Sequence, residues 1–176
     1  PEAFDALRWI IMRYGESAPF SGNPAQPPYL RVYPTAQVLG TIPSWDWHRA
    51  RVDSARYSAI YHFAQRADAL ERFGTTGRIA HLAAALDDIP GVGPWSVAEA
   101  LQGFCGHPDA VSVGDYHLAH TVGFAFTGER TDDAGMLRLL APYAGHRQRV
   151  VRLIQEAGIR KPRYGARISI PDYRDF

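Results

Sequence analysis

One cysteine and one lysine are all that 176 residues hold of either type. With Cys105 alone there can be no intrachain disulfide, no four-cysteine zinc site and no cysteine-ligated iron–sulfur cluster. Net charge is scarce as well, at +1, which weakens any argument for a nucleic-acid partner from charge alone. No apolar run reaches the roughly 18 residues of a membrane span, and no secretory signal is visible. The expectation is a protein with no membrane partner, cytoplasmic, and nucleoid-associated if bacterial. The chain opens Pro1-Glu2 without an initiator methionine, which reads as processing or truncation.

What is present describes a globule. The chain is 46% hydrophobic and long enough to bury a core. Every base except Lys161 is arginine. Arginine suits bidentate phosphate contacts, although a GC-rich genome produces the same bias and carries more weight as its cause.

Helical periodicity runs through most of the chain. Leu7, Ile10, Ile11 and Tyr14 share a face over residues 2–14. Ser17 to Tyr29 carries four prolines and reads as a loop, and LRVY at 30–33 as a short extended piece. Ser44 or Asp46 is expected to cap a short helix through Arg49, Ser54 a longer one, and Thr76 the next. Trp45 and Trp47 are expected to pack on the helix that follows them. A helix from Pro94 is expected to bury Val97, Ala98, Leu101 and Phe104. Asp115 begins another, with Leu118, Thr121, Val122 and Ala125 along it. Thr131 should cap a helix through Leu140, and Val150, Leu153, Ile154 and Ala157 mark the last. Residues 160–176 have no periodicity. No repeat and no convincing sheet appear, so the class is all-α. The chain divides into an N-terminal helix and Pro-rich loop (1–29), a main domain (30–159) and a tail (160–176).

The most informative stretch is DDIPGVGPWSVAEAL, from Asp87 to Leu101. Pro90 cannot continue a helix. Gly91 and Gly93 permit positive φ and place no Cβ over the backbone. Pro94 suits the first position of a new helix. The amides of Gly91, Val92 and Gly93 would lie beside a helix N-terminus, an arrangement that attracts anions without a lysine. Val92 is expected to point into the core and fix the turn. A tight turn between helices with no ligand is the alternative.

The full pattern, Leu86-x-x-Ile89-Pro90-Gly91-Val92-Gly93-x-x-Ser96-x-Ala98, resembles the helix-hairpin-helix DNA-binding element. Gly114-Asp115 follows at a helix start, 24 residues after Gly91. By itself Asp115 reads as an ordinary N-cap. Hairpin and aspartate together resemble the helix-hairpin-helix superfamily of DNA glycosylases, and within it the 3-methyladenine branch. The resemblance covers roughly Val38 to Ile154. It is clearest in Leu86–Ala98, Val111–His120 and Pro142–Val151.

The resemblance implies a helix-hairpin-helix glycosylase fold, with the N-terminal part of the family domain expected to be missing. It implies a monomer acting on double-stranded DNA that contains damaged bases, with Asp115 catalytic. The DNA-binding set is Gly91, Val92, Gly93, Ser96 and Arg147, Arg147 being open to pairing with an acid instead. Trp95, Tyr116, Glu99 and Gln155 would line the base pocket. Glu99 and Gln155 stand where relatives carry a tyrosine and a tryptophan. Trp95 stands where strand-cleaving members carry a lysine nucleophile, so the activity implied is base removal alone. No cofactor is expected beyond a monovalent cation, Na⁺ or K⁺, on the carbonyls of Asp87, Ile89 and Val92. The substrate implied is an alkylated purine, 3-methyladenine or 7-methylguanine, with deaminated bases also open. The alternative is a non-catalytic DNA-binding module or an inactive fragment. His117 and His120, at i and i+3, read as ordinary histidines rather than metal ligands.

Overall fold

The computed structural model describes residues 2–19 and 30–159. The expectations for most of the Pro-rich loop and for the 160–176 tail, Lys161 included, lie outside the described residues. The described residues are mostly helical and include no strand, only an isolated antiparallel bridge between Ser17 and Arg31. That bridge is what remains of the extended piece expected at 30–33.

The chain forms two compact units that divide between His107 and Pro108. The sequence placed boundaries at 29/30 and 159/160; the structural division falls inside the expected main domain.

The first unit holds α1 (Glu2–Tyr14), α2 (Ala36–Leu39), α3 (Ser44–Arg49), α4 (Ser54–Thr75), α5 (Ile79–Asp87) and α6 (Pro94–Cys105). Ile10, Leu39, Ile42, Trp47 and Ala50 form one core cluster, against which Tyr57, Ile60 and Ala64 of α4 pack. Trp47 is therefore buried against the following helix as expected, whereas Trp45 is exposed. Leu82 and Leu86 of α5, Ile89 in the turn after it, and Ala98 and Leu101 of α6 are buried, each large side chain contributing about 2 kcal/mol. Phe104, expected inside, is 56% exposed.

Helix starts differ from expectation in an instructive way. Asp53, not Ser54, is the N-cap of α4 and accepts from the Arg56 amide at 2.9 Å. Pro43 occupies the N-cap of α3 without a side-chain cap. Asp46, expected as a cap there, is instead a buried carboxylate. It accepts from the Tyr14 hydroxyl and, at 3.3 Å each, from Arg13 Nε and Arg49 Nη1. Those bonds, the Tyr14 one foremost, hold its pKa below the usual carboxylate value despite burial. Thr76 closes α4 rather than opening α5.

The second unit holds α7 (Leu118–Thr127), α8 (Asp133–Leu140), a 3₁₀ turn (Ala141–Tyr143) and α9 (Arg147–Glu156). Its core is Leu118, Ala119, Val122, Met136, Leu140, Val151 and Ile154. Asp132, not Thr131, caps α8, accepting from the Gly135 amide at 2.7 Å. The buried stripe of α9 is Val151 and Ile154, while Leu153 is exposed. The expected register there was one residue off on one side.

Candidate functional site

The candidate residues fall on both units. In the first unit, α5 ends at Asp87 and the chain turns at Ile89–Val92. Ile89 is 1% exposed and anchors the turn; Val92, expected in that role, is only half-buried. The Val92 amide donates to the Ile89 carbonyl at 2.9 Å. With Pro90 second and Gly91 third at φ +86°, the turn has the pattern of a type II turn. Gly93 is extended, at φ −122° and ψ −178°, and serves as N-cap of α6 without a side-chain hydrogen bond. Pro94 then opens the helix at its first position, as its missing N–H favours.

Two consequences bear on anion binding. The Val92 amide is already committed, which removes it from the expected donor set. The amides of Gly91 and Gly93 have no acceptor among the described residues, and they sit where the positive end of the α6 dipole adds to them. The turn rests on α4: a Cβ built on Gly91 would lie 3.6 Å from Ala59 Cβ and 3.8 Å from the Ala55 carbonyl oxygen. Arg66 Nη1 donates to the Asp88 carbonyl at 3.3 Å. This support is not legible in the sequence, because nothing in the spacing of Ala55, Ala59 and Arg66 points to residues near 90.

Trp95 is 44% exposed and Glu99, one turn on, is exposed. Ser96 is half-buried on the first turn of α6. The carbonyls of Asp87 and Val92 accept no backbone hydrogen bond among the described residues, while that of Ile89 accepts one.

In the second unit the loop 111–117 leads into α7. Asp115 is half-buried, and its Oδ1 accepts from the amides of His117 and Leu118, at 2.8 Å each. The carboxylate thus caps α7 from two residues before its N-cap position, and the helix start pins it. Asn or Ser could also cap here; the charge of aspartate adds a favourable interaction with the helix N-terminus. Gly114, at φ +88°, permits the bend before it. Tyr116 is 84% exposed, against the edge of the His117 ring. Gln155 on α9 is exposed. His120 Nδ1 bonds the Thr131 carbonyl at 2.8 Å, which ties α7 to the segment leading into α8.

For Arg147 the structure answers the question the sequence left open. Its Nε donates to Asp109 Oδ1 at 2.8 Å, its Nη2 to Asp109 Oδ2, and its backbone amide to Oδ1 at 2.9 Å. The side chain forks an acid rather than facing away from one. The amides of Gln148 and Arg149 donate to the Pro108 carbonyl at 3.0 and 3.3 Å. The start of α9 is thereby fastened to the 108–109 segment.

No helix among the described residues is long and apolar enough to cross a membrane. Compared with family models, curated proteins and solved structures, the chain finds no match.

Proposed function

We propose that this chain is a DNA glycosylase of the helix-hairpin-helix type. Within that class, it hydrolyses the N-glycosidic bond of alkylated purines, 3-methyladenine and 7-methylguanine, without cutting the strand. The observation that carries the reading is the seat of Asp115: a half-buried carboxylate fixed by two helix-start amides at 2.8 Å each, directly after the bend at Gly114.

The chemistry asks little else of the protein. A backbone phosphate docks at the amides of Gly91 and Gly93, with Ser96 beside them. The damaged nucleotide leaves the stack, at a cost of a few kcal/mol that is smallest for a damaged base. Trp95 offers an aromatic face to a cationic purine. When the bond from C1′ to the base nitrogen breaks, its electron pair leaves with the purine and positive charge develops on the sugar. The fixed carboxylate of Asp115 stabilises that charge. Water oxygen then bonds to C1′ and gives up a proton, with Asp115 placed to orient or accept it. A tryptophan at position 95 supplies no amine for a Schiff base, so strand cleavage is not part of the reaction. A monovalent cation at the hairpin would use the carbonyls of Asp87, Ile89 and Val92. Arg147, engaged with Asp109, is a brace in this reading rather than a phosphate contact.

One observation favours a second reading. Tyr116, Glu99 and Gln155 are all exposed, which suits a DNA-binding module without a lesion pocket. Incubation with methylated duplex DNA separates the two. Release of 3-methyladenine or 7-methylguanine, with no borohydride-trapped protein–DNA adduct, supports the glycosylase. Salt-dependent binding without release supports the module.

A further inference from the structure

We infer that Asp133, the first residue of α8, is a positioning residue for Asp115; the inference rests on the catalytic role proposed for Asp115. Asp133 Oδ2 accepts from the Gly114 amide at 3.1 Å. Gly114 is the residue that turns the chain, at φ +88°, immediately before Asp115. Around it the loop folds on itself: the Val113 amide donates to the Val111 carbonyl at 2.8 Å, and the Asp115 amide to the Ser112 carbonyl at 3.3 Å. The bond from Asp133 fastens this self-closed loop to a different helix.

Asp133 is not needed as the cap of α8. The N-cap of α8 is already filled by Asp132, whose Oδ1 takes the Gly135 amide. The other oxygen of Asp133, Oδ1, is buried with no hydrogen-bond partner among the described residues. A buried acceptor without a donor costs stability, and such an atom in a folded protein calls for a reason. The role of Asp133 follows from the amide that its other oxygen holds, the one immediately before Asp115. The carboxylate is then held from both sides: from behind through Gly114 and Asp133, from ahead through the amides of His117 and Leu118.

The test combines amide exchange with kinetics on the full chain. In the wild type the Gly114 amide is expected to exchange slowly. Asp133→Ala removes that protection, and Asp133→Asn keeps it, because the amide oxygen of asparagine still accepts. On a duplex carrying one 7-methylguanine, Asp133→Ala is expected to lose about 10²-fold in single-turnover excision, the scale of a small misplacement at a reacting centre. Its duplex affinity should change by less than about threefold, and Asp133→Asn should excise nearly as the wild type does. The inference is overturned by a Gly114 amide that exchanges freely in the wild type, by wild-type excision in Asp133→Ala, or by an Asp133→Asn as slow as the alanine variant. Wild-type protein that excises nothing would overturn the glycosylase reading instead. Amide exchange would still report whether Asp133 holds the loop, and the wild-type measurement requires no variant to fold.

Discussion

Arg147 and Asp109 are joined three times over: the guanidinium forks the carboxylate, and the Arg147 amide donates to the same Oδ1 at 2.9 Å. Arg147, led by its side-chain hydrogen bonds, holds the Asp109 carboxyl well below the usual carboxylate range. A depressed carboxylate contributes stability above its unfolded value of about 3.9 and loses it as pH falls through the folded value. Asp109→Asn is therefore expected to cost about 2 kcal/mol at pH 7. The gap between wild type and variant should narrow as pH drops below about 4. Denaturant midpoints measured across that range check this. Arg147→Lys should lose part of the same stability, because an ammonium cannot fork the carboxylate.

The two hairpin glycines should separate folding from binding. Gly91 has φ +86°, so Gly91→Ala is expected to cost about 1–2 kcal/mol in stability. Gly93 is extended, and a Cβ there meets nothing within 4 Å. Gly93→Ala should cost less than about 1 kcal/mol, alanine being the poorer N-cap, and weaken duplex binding, because the added methyl would crowd the amides proposed to receive the phosphate. Equal affinity for wild type and Gly93→Ala, measured at one fixed salt concentration, would argue against hairpin docking.

Arg51 is the one non-glycine residue with positive φ among those described, at +62°. It follows α3 where the Val52 amide reaches back to the Trp47 carbonyl at 2.9 Å, a position that favours glycine. Arg51→Gly is expected to raise stability by about 0.5–1 kcal/mol, the relieved strain being partly offset by greater freedom of the unfolded chain. A rise in the denaturant midpoint at unchanged slope is the sign to look for.

What the sequence made legible was local. The helix at 2–14 and the Pro94 start follow from periodicity and from proline's missing donor. The acid at the start of α7 was visible because Asp115 caps that helix within three residues. Cap positions slipped by one where two capable residues adjoin, as with Asp53 and Ser54 or Thr131 and Asp132; backbone dihedrals decide between such neighbours and composition does not. Contacts across long separations were not legible. Asp46 looked like a cap because its partners Arg13 and Tyr14 lie 33 and 32 residues away, and Asp109 is 38 residues from Arg147. The division between His107 and Pro108 coincides with a local signal: Gly106, left-handed at φ +60°, ends α6 two residues before a proline. Ile89 rather than Val92 anchors the hairpin: Ile89 is fully buried and Val92 only half-buried.

The most direct measurement compares wild type with Asp115→Asn for release of 7-methylguanine from duplex DNA under single-turnover conditions, alongside affinity for the same duplex. Asparagine keeps the cap on His117 and Leu118, so folding and binding should hold. Excision should fall by at least about 10²-fold, the scale seen when one stabiliser of transition-state charge is removed. Equal release by the two proteins, or release by neither, would contradict a catalytic Asp115.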